Sequence, residues 1–423
     1  MVAVLAKLCS TQIVGEFALG LALTAPVYML ANLQLRSVQV TDTNRDYAFG
    51  HYLGLRLLTT LLALLTIAFL VAWAGYPARI AWIVFLVGLA KGLESQSDVV
   101  YGLLQRQERL DWIARSMVLK GVLSLGALWL GVYLSDSLLW GVAGMMGATA
   151  VTLAIYDLPK AVLVLGAAAE DGRYRTLLCP RFSFGALWQL TWLALPLGLV
   201  SMFSSLNVNI PRYFIETRLG TAPLGIFASL GAVFTGLCYV QIALGAAALP
   251  RLAHNYAERR LGPYLRVAGL VCGMSLASGL AAVAVAAVGG PRLLRFLYAE
   301  EFSHYHRLFL WMAVACLVQC FNGAIGYLLQ ASRCFTDAAW GTLAGSLAIL
   351  AGSAWFIPRF GLEGAALAAM AGSGTSSLVM ACRFLVLLRT FKEVSHAARP
   401  ALPAAREESY VPRPSRLAPA AHR

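Results

Sequence analysis

The sequence has few charged residues, and fewer of these are acidic than basic. Charged residues make up 13% of the 423 residues and hydrophobic residues 59%, whereas soluble domains carry about a quarter charged residues and less than half apolar ones. The apolar residues fall in blocks of about 20 or more, the length needed to cross a hydrocarbon core of about 30 Å. This scarcity of charge excludes an ordinary soluble domain and indicates a polytopic membrane protein.

The alternating ten-residue segments of a membrane β-barrel are also absent. In lipid, backbone groups must find their hydrogen-bond partners within the segment, so the apolar blocks must be helices. The predicted fold class is therefore an all-α integral membrane protein. The predicted spans are 14–35, 52–74, 79–103, 112–134, 138–165, 185–210, 223–248, 263–289, 306–330, 336–357 and 361–388.

Motifs for catalysis and metal binding are missing as well. The eight cysteines form no CxxC pair, and the six histidines have no ligand spacing. Cys316 and Cys320 share a helix face, where cysteine most often packs as a small apolar residue. No GxSxG, P-loop, HExxH or DxD motif occurs. We therefore expect no metal site, no disulfide, no cofactor and no enzymatic activity.

The net charge of +13 raises the question of nucleic-acid binding. The basic residues lie mainly in short loops and in the C-terminal tail, where the positive-inside rule places them. We therefore expect no nucleic-acid partner. The same bias predicts that the central linker and the tail lie on the cytoplasmic side.

An internal repeat indicates two lobes. Residues 7–21 read KLCSTQIVGEFALGL and residues 218–231 read RLGTAPLGIFASLG. Each segment begins with a basic residue and a short polar turn, and each then starts a helix with the motif (V/L)-G-x-F-A. The separation of these two segments is close to half the length of the chain, which is typical of transporters built from two repeats. The repeat also predicts that most of a first helix is missing before Lys7, the alternative being an eleven-helix protein with a short N-terminal helix.

The chain divides accordingly into four predicted parts. These are an N-terminal transmembrane lobe over 1–165, a linker over 166–184, a C-terminal lobe over 185–390 and a disordered basic tail over 391–423 that contacts anionic lipid. In the second lobe, the amphipathic segment 291–305 is expected to lie along the membrane interface.

Charged residues inside predicted spans are the main functional candidates, because burying charge in a membrane is costly. Lys91, Glu94 and Asp98 share one face of one helix. With Lys120 and Arg56 they predict a cationic, water-filled cavity that attracts an anionic group. Glu94 or Asp98 would carry a coupling proton or sodium ion. The alternative is an intramembrane Lys91–Glu94 ion pair that fixes helix packing.

The second lobe contributes the polar run SSLNVNIPR at 204–212. Its small polar residues next to a proline predict a helix end that lines a cavity, and ordinary helix termination is the alternative. Asn207, Asn209 and Arg212 are its candidate substrate-binding residues. Asp157, near Pro159, is assigned a structural role.

Three strings then suggest a family. VGEFALGLALTAPVYMLANLQLRSVQVTD (14–42), AKGLESQSDVVYGLLQRQERLDWIARS (90–116) and LPLGLVSMFSSLNVNIPRYFIETRLG (195–220) resemble the polysaccharide-biosynthesis flippases of the MATE-like multidrug/oligosaccharidyl-lipid/polysaccharide superfamily. The likeness extends in order to about residue 388. It implies two pseudo-twofold-related six-helix lobes, of which this sequence largely lacks the first helix.

The resemblance also implies a function. Such proteins move an undecaprenyl-pyrophosphate-linked oligosaccharide across the bacterial inner membrane by ion-coupled alternating access, and they act beside polysaccharide polymerases and glycosyltransferases. An efflux antiporter of the same fold is one alternative, although a cationic cavity repels organic cations. A membrane-embedded polymerase or glycosyltransferase is another, and a scaffold without transport activity is a third.

Overall fold

The computed structural model describes residues 1–42, 46–167, 179–298, 300–332 and 334–397, and these residues form helices without β-strands. The first half contains α1 (Val2–Leu8), α2 (Thr11–Ala31), α3 (Leu35–Thr41), α4 (Phe49–Trp73), α5 (Ala78–Arg106), α6 (Leu110–Ser135), α7 (Leu138–Thr152), a π-helical turn (Leu153–Asp157) and α8 (Leu158–Ala167). The second half contains α9 (Phe184–Leu219), α10 (Thr221–Ala257), α11 (Leu261–Leu297), a 3-10 turn (Glu300–Tyr305), α12 (His306–Ala331) and α13 (Phe335–Ala397).

The helices account for the predicted spans. Within the described residues, nine helical stretches are long and apolar enough to cross a membrane. α5 is not among them, since Lys91, Glu94 and Asp98 interrupt its apolar residues. α13 joins two spans at Gly361, whose φ of 57° breaks the helix. The chain is therefore a multi-pass helical membrane protein with the predicted fold class.

The two lobes touch most closely where α2 and α10 begin. Gly15 of α2 lies on the backbone carbonyl of Thr221, and Gly225 of α10 lies on the carbonyl of Thr11, so a Cβ atom at either glycine would overlap the opposing oxygen. Threonine and glycine are one helical turn apart in both repeats. The contact is therefore reciprocal, as a pseudo-twofold axis requires. We call this end of the molecule the contact end and the opposite end the far end.

An apolar cluster surrounds the glycine contact and joins both lobes. Val14 and Phe17 of α2 lie in it with Leu224 and Phe227 of α10 and Phe309 of α12, and each is at most 9% exposed. Because lipid is as apolar as these side chains, their close packing rather than transfer out of water stabilises the contact. In the topology predicted from loop charge, the contact end is the outer end.

α9 crosses from one lobe to the other. Near its start, Leu187 and Leu190 are buried against Leu33 and Tyr52 of the first lobe. Farther along, a Cβ atom at Gly198 would lie 3.1 Å from the carbonyl oxygen of Leu30. As a whole, α9 packs against both α2 of the first lobe and α13 of the second, so it lies between the lobes.

One prediction for the second lobe is wrong. Residues 291–297 do not leave the bundle to lie along the interface, because α11 continues through Pro291 to Leu297, and the 3-10 turn Glu300–Tyr305 leads directly into α12. Gly290 and Leu294 are buried on the inward face, and Phe296 is exposed. The amphipathic pattern belongs to the end of a transmembrane helix. Most of the predicted linker (168–178) and of the predicted tail (398–423) lies outside the described residues.

The glycine contact predicts an effect on stability. Gly15→Ala or Gly225→Ala should lower the free energy of unfolding by about 1–3 kcal/mol, because overpacking forces α2 and α10 apart. Gly126→Ala in α6 is the matched control, since open space surrounds this position and alanine favours helix over glycine. Thermal unfolding of the three variants in detergent measures the difference. Equal midpoints for all three would show that the contact is not tight.

Candidate functional site

A cavity of about 550 Å³ lies between the lobes. We call it the central cavity. α2 supplies apolar residues to it, α5 supplies one lysine, and α9 supplies the predicted polar run. Its lining residues are Leu21, Ala25, Met29, Lys91, Val200, Ser201, Ser204, Ser205, Val208, Asn209 and Arg212. Three of the predicted substrate-binding residues, Lys91, Asn209 and Arg212, therefore meet here.

Lys91 enters the central cavity from the first lobe. It stands 13 residues into α5, about 20 Å from the contact end, and its side chain is 35% exposed. Its ammonium group donates to Glu94 Oε2 at 2.7 Å. The expected ion pair is present, but both partners lie on α5, so it does not join two helices. An ammonium group has three donor positions, and its exposure leaves room for an anion at the others.

Arg212 enters the same cavity from α9. Its Nη1 donates to Asn209 Oδ1 at 3.2 Å, and the Asn209 amide in turn donates to the carbonyl of Ser205 at 2.9 Å. No ion pair joins Arg212 to any carboxylate that the structure describes, and its buried Nε has no hydrogen-bond partner there. A guanidinium group held by a neutral amide retains its charge for a ligand.

The polar run therefore does not end a helix. α9 continues through Pro211 to Leu219, and the prediction of a helix end at 204–212 is wrong. A proline within a membrane helix is tolerated where polar groups and neighbouring helices satisfy the freed carbonyl. Asn207 does not line the central cavity, and its buried Oδ1 lacks a partner among the described residues.

Arg56 and Asp98 form a separate cluster nearer the far end. Arg56 is fully buried and donates to Asn32 Oδ1 and, at 3.2 Å, to Asp98 Oδ2. Arg36 lies 3.7 Å from the other oxygen of Asp98, and Ser95 also donates to Asn32. The cluster ties together α4, α5 and the end of α2. Arg56 does not line the central cavity, so direct substrate contact stays a prediction for it.

Lys120 lies within the first lobe in a buried network. Its ammonium group donates to Ser97 Oγ at 2.6 Å, to the Tyr101 hydroxyl at 3.1 Å and to Asp157 Oδ2 at 3.4 Å. Ser116 donates to the second oxygen of Asp157. The π-helical turn that ends at Asp157 sets this carboxylate against α5 and α6. These contacts support the structural role predicted for Asp157 and leave substrate binding by Lys120 untested.

The two candidate ion-coupling residues are thus in different surroundings. Glu94 is 44% exposed and paired with the cavity lysine, and Asp98 lies between two arginines with 32% of its side chain exposed. Within the described ranges, no three His, Cys, Asp or Glu side chains form a group that would hold a metal ion.

Sequence reasoning missed Asn32 and Gln34. Asn32 accepts hydrogen bonds from Arg56 and Ser95, and Gln34 Nε2 donates across the lobes to Ser201 Oγ at 2.9 Å. Both lie where α2 breaks before α3, and Gln34 has a φ of 51°. The sequence did contain a signal for both residues, because they are polar and stand at the end of an apolar span.

The fold is similar to that of solved MATE transporters and of the lipid II flippase MurJ. An inward-facing multidrug resistance MATE family transporter superimposes with a TM-score of 0.72, at 14% identity, over 93% of this chain and 94% of that one. The lipid II flippase MurJ, in its inward closed conformation, gives 0.69 at 11% identity over 93% of this chain and 86% of MurJ. An outward-facing MATE transporter gives 0.57 at 15% identity over 89% and 86%.

In sequence, the chain is a homologue of the capsular polysaccharide biosynthesis protein CapF of Staphylococcus aureus. The two are 24% identical over 367 residues, 86% of this chain and 89% of CapF. The fluoride-specific ion channel FluC of Methylococcus capsulatus is 30% identical over 165 residues, 70% of FluC but 37% of this chain; that match leaves most of the two-lobe fold unaccounted for. No protein-family model matches the sequence.

The Lys120–Asp157 pair yields a stability prediction. Asp157→Asn should lower the free energy of unfolding by about 3–5 kcal/mol, because it leaves Lys120 buried without a counter-charge. The double variant Lys120→Met, Asp157→Leu should recover most of this loss, since no buried charge remains. Denaturation in mixed detergent micelles measures both.

Asp111→Asn is the matched control for this pair. It breaks the Arg109–Asp111 pair, whose side chains are 47% and 48% exposed, and it should change the unfolding free energy by less than about 1 kcal/mol. If Asp157→Asn were as stable as Asp111→Asn, Lys120 would have no need of Asp157, and the network would not be structural.

Proposed function

We propose that the protein is a flippase that moves an undecaprenyl-pyrophosphate-linked oligosaccharide from the inner to the outer leaflet of the bacterial inner membrane. Its product would serve surface-polysaccharide biosynthesis. The observation that carries the proposal is the central cavity, into which each lobe contributes one cation, Lys91 and Arg212.

The chemistry of the cavity favours a phosphate group. Arginine presents a planar fork that matches phosphate oxygens, and lysine adds a compact charge. The serines and Asn209 on α9 supply neutral hydrogen bonds for sugar hydroxyls. A pyrophosphate would bridge the two lobes and so respond to their relative movement.

The similarity to known proteins also supports a flippase. The name of CapF refers to capsular polysaccharide biosynthesis, and MurJ is a lipid II flippase. The higher TM-score for the inward-facing than for the outward-facing MATE transporter agrees with lobes joined at the contact end. Substrate would therefore enter from the far end, on the cytoplasmic side.

Transport would follow alternating access. The lobes rock about the bound substrate, the glycine contact separates, and the far end closes. Glu94 and a substrate phosphate on the same Lys91 ammonium group would repel each other, so a proton or sodium ion on Glu94 would relieve this repulsion. Asp98, held by Arg56 and Arg36, is the second candidate for ion coupling. Polysaccharide polymerases, glycosyltransferases and membrane lipid are the expected partners.

Efflux of small organic cations is the competing function, favoured by the TM-score of 0.72 to a multidrug transporter. Two cations in the cavity oppose it, because they repel a positively charged drug. Uptake of a cationic dye into vesicles, unaffected by Lys91→Ala, would establish efflux in place of flipping. Sugar transfer by the purified protein would instead establish an enzyme.

The proposal predicts a charge requirement for transport. Lys91→Ala and Arg212→Ala should each lower the rate of lipid-linked oligosaccharide flipping in proteoliposomes about tenfold or more at limiting substrate, because a charge-assisted hydrogen bond to phosphate is lost. Lys91→Arg and Arg212→Lys, which keep the charge, should lose less.

Arg266→Ala is the matched control, since it removes an exposed cation of α11 that does not line the cavity. Its flipping rate should equal that of the unaltered protein. Equal rates for Lys91→Ala, Arg212→Ala and Arg266→Ala would remove the cationic cavity from the mechanism.

A further inference from the structure

One carboxylate of the second lobe is held by a hydroxyl group of the first lobe, between the central cavity and the contact end. Glu216 stands four residues after Arg212 on α9, about 6 Å nearer the contact end. The hydroxyl of Tyr76, between α4 and α5, donates to Glu216 Oε2 at 3.2 Å. Because the two residues belong to different lobes, this hydrogen bond must break when the lobes part at the contact end.

Tyr76 is fixed within the first lobe. Its side chain packs against an apolar cluster of α2, α4 and α5 that includes Ile67 and Val84, and Pro77 follows it directly before α5. The residue before a proline is restricted to extended conformations, so the turn between α4 and α5 has little freedom to follow a moving partner. Tyr76 therefore stays with the first lobe when Glu216 moves with the second.

Arg212 and Glu216 have separate partners in this structure. Residues four apart on a helix share one face, and opposite charges there attract each other. Both side chains are described, yet no ion pair joins these two described residues. The guanidinium group instead donates to Asn209, and the carboxylate accepts from Tyr76. Tyr76 thus keeps the carboxylate away from Arg212 while the contact end is closed.

Two other cations near the contact end are less suited to pair with Glu216. Arg79 lies 3.4 Å from Glu16, and both belong to the first lobe, so they move away together. Arg218 stands two residues along α9 from Glu216, a spacing at which side chains do not face each other. Arg212 is therefore the cation that a released Glu216 carboxylate meets on its own helix face.

We propose that Glu216 displaces the bound anion from Arg212 when the contact end opens. This inference rests on the proposed function and adds to it the step that releases the substrate. Tyr76 departs with the first lobe, the freed carboxylate pairs with Arg212, and the phosphate loses one of its two cations on the side that faces the outer leaflet. When the contact end closes, Tyr76 binds Glu216 again and Arg212 returns to the cavity. The affinity for the anion is thus low in the state that releases it and high in the state that receives it.

Binding of inorganic pyrophosphate to the full chain in detergent tests this exchange of partners. Tyr76→Phe keeps the packed ring but frees the carboxylate, while the glycine contact and the hydrogen bond from Tyr213 to the Ala22 carbonyl still hold the contact end closed. This variant should bind pyrophosphate about tenfold more weakly, the effect of losing one charge-assisted hydrogen bond. The double variant Tyr76→Phe, Glu216→Gln should bind as tightly as the unaltered protein, because no carboxylate remains to occupy Arg212.

Transport measures the release step itself. In proteoliposomes, Glu216→Gln should lower the maximal rate of lipid-linked oligosaccharide flipping about tenfold and leave the half-saturating substrate concentration unchanged or lower, because the anion binds but leaves slowly. Glu363→Gln is the matched control. It removes a carboxylate of α13 that pairs with Arg307 near the contact end, and it should equal the unaltered protein in both assays.

The outcomes separate this inference from the proposed function. If the unaltered protein binds pyrophosphate and Tyr76→Phe binds it equally well, the release role is overturned and the flippase proposal stands. Weaker binding by Tyr76→Phe that Glu216→Gln does not restore would show a purely structural role for Tyr76 and overturn the inference as well, as would an unchanged maximal rate for Glu216→Gln. If the unaltered protein binds neither pyrophosphate nor lipid-linked oligosaccharide, the proposed function fails, and the release step fails with it.

Discussion

The structure depends on one close contact between backbones. Gly15 lies on the Thr221 carbonyl and Gly225 lies on the Thr11 carbonyl, so α2 and α10 cross with no side chain between their backbones. Because the contact is reciprocal, it fixes the pseudo-twofold axis at one end of the molecule. From there α2, α5 and α9 diverge around the central cavity. Small residues at helix crossings have this effect in membranes generally, where close packing replaces the hydrophobic effect as the force that holds helices together.

The intramembrane cations fall into two groups that differ in their partners. Arg56 and Lys120 are buried and each contacts a carboxylate from another helix, which offsets the cost of removing a charge from water. Lys91 pairs only with its neighbour on α5, and Arg212 of the second lobe has a neutral partner. The contacts of the first group join different helices, whereas the contacts described for Lys91 and Arg212 stay within one helix; substrate binding remains a prediction for all four.

The fold class and the membrane helices could be predicted from the sequence, because spans of apolar residues and the depth of a residue along each helix follow directly from composition. The sequence did not allow us to predict toward which side of its helix a charged side chain points. Lys91 and Lys120 both lie well inside their spans, yet one lines the cavity and the other a buried network, since the rotation of α6 and the π-helical turn before Asp157 are set by packing. Pro211 and Pro291 resemble helix ends in the sequence, but neighbouring helices support the backbone around them, and a single sequence does not show those neighbours.

The most direct question is whether the glycine contact opens and closes as the protein works. Spin labels at Gln12→Cys and Arg218→Cys, both exposed positions near the contact end, report its width in a cysteine-free background. Distances are to be measured in proteoliposomes with lipid-linked substrate under a proton or sodium gradient, with labels at Arg109→Cys and Lys160→Cys within the first lobe as control. We predict a second, longer distance for the first pair only. A single unchanged distance in vesicles that carry out transport would contradict the account.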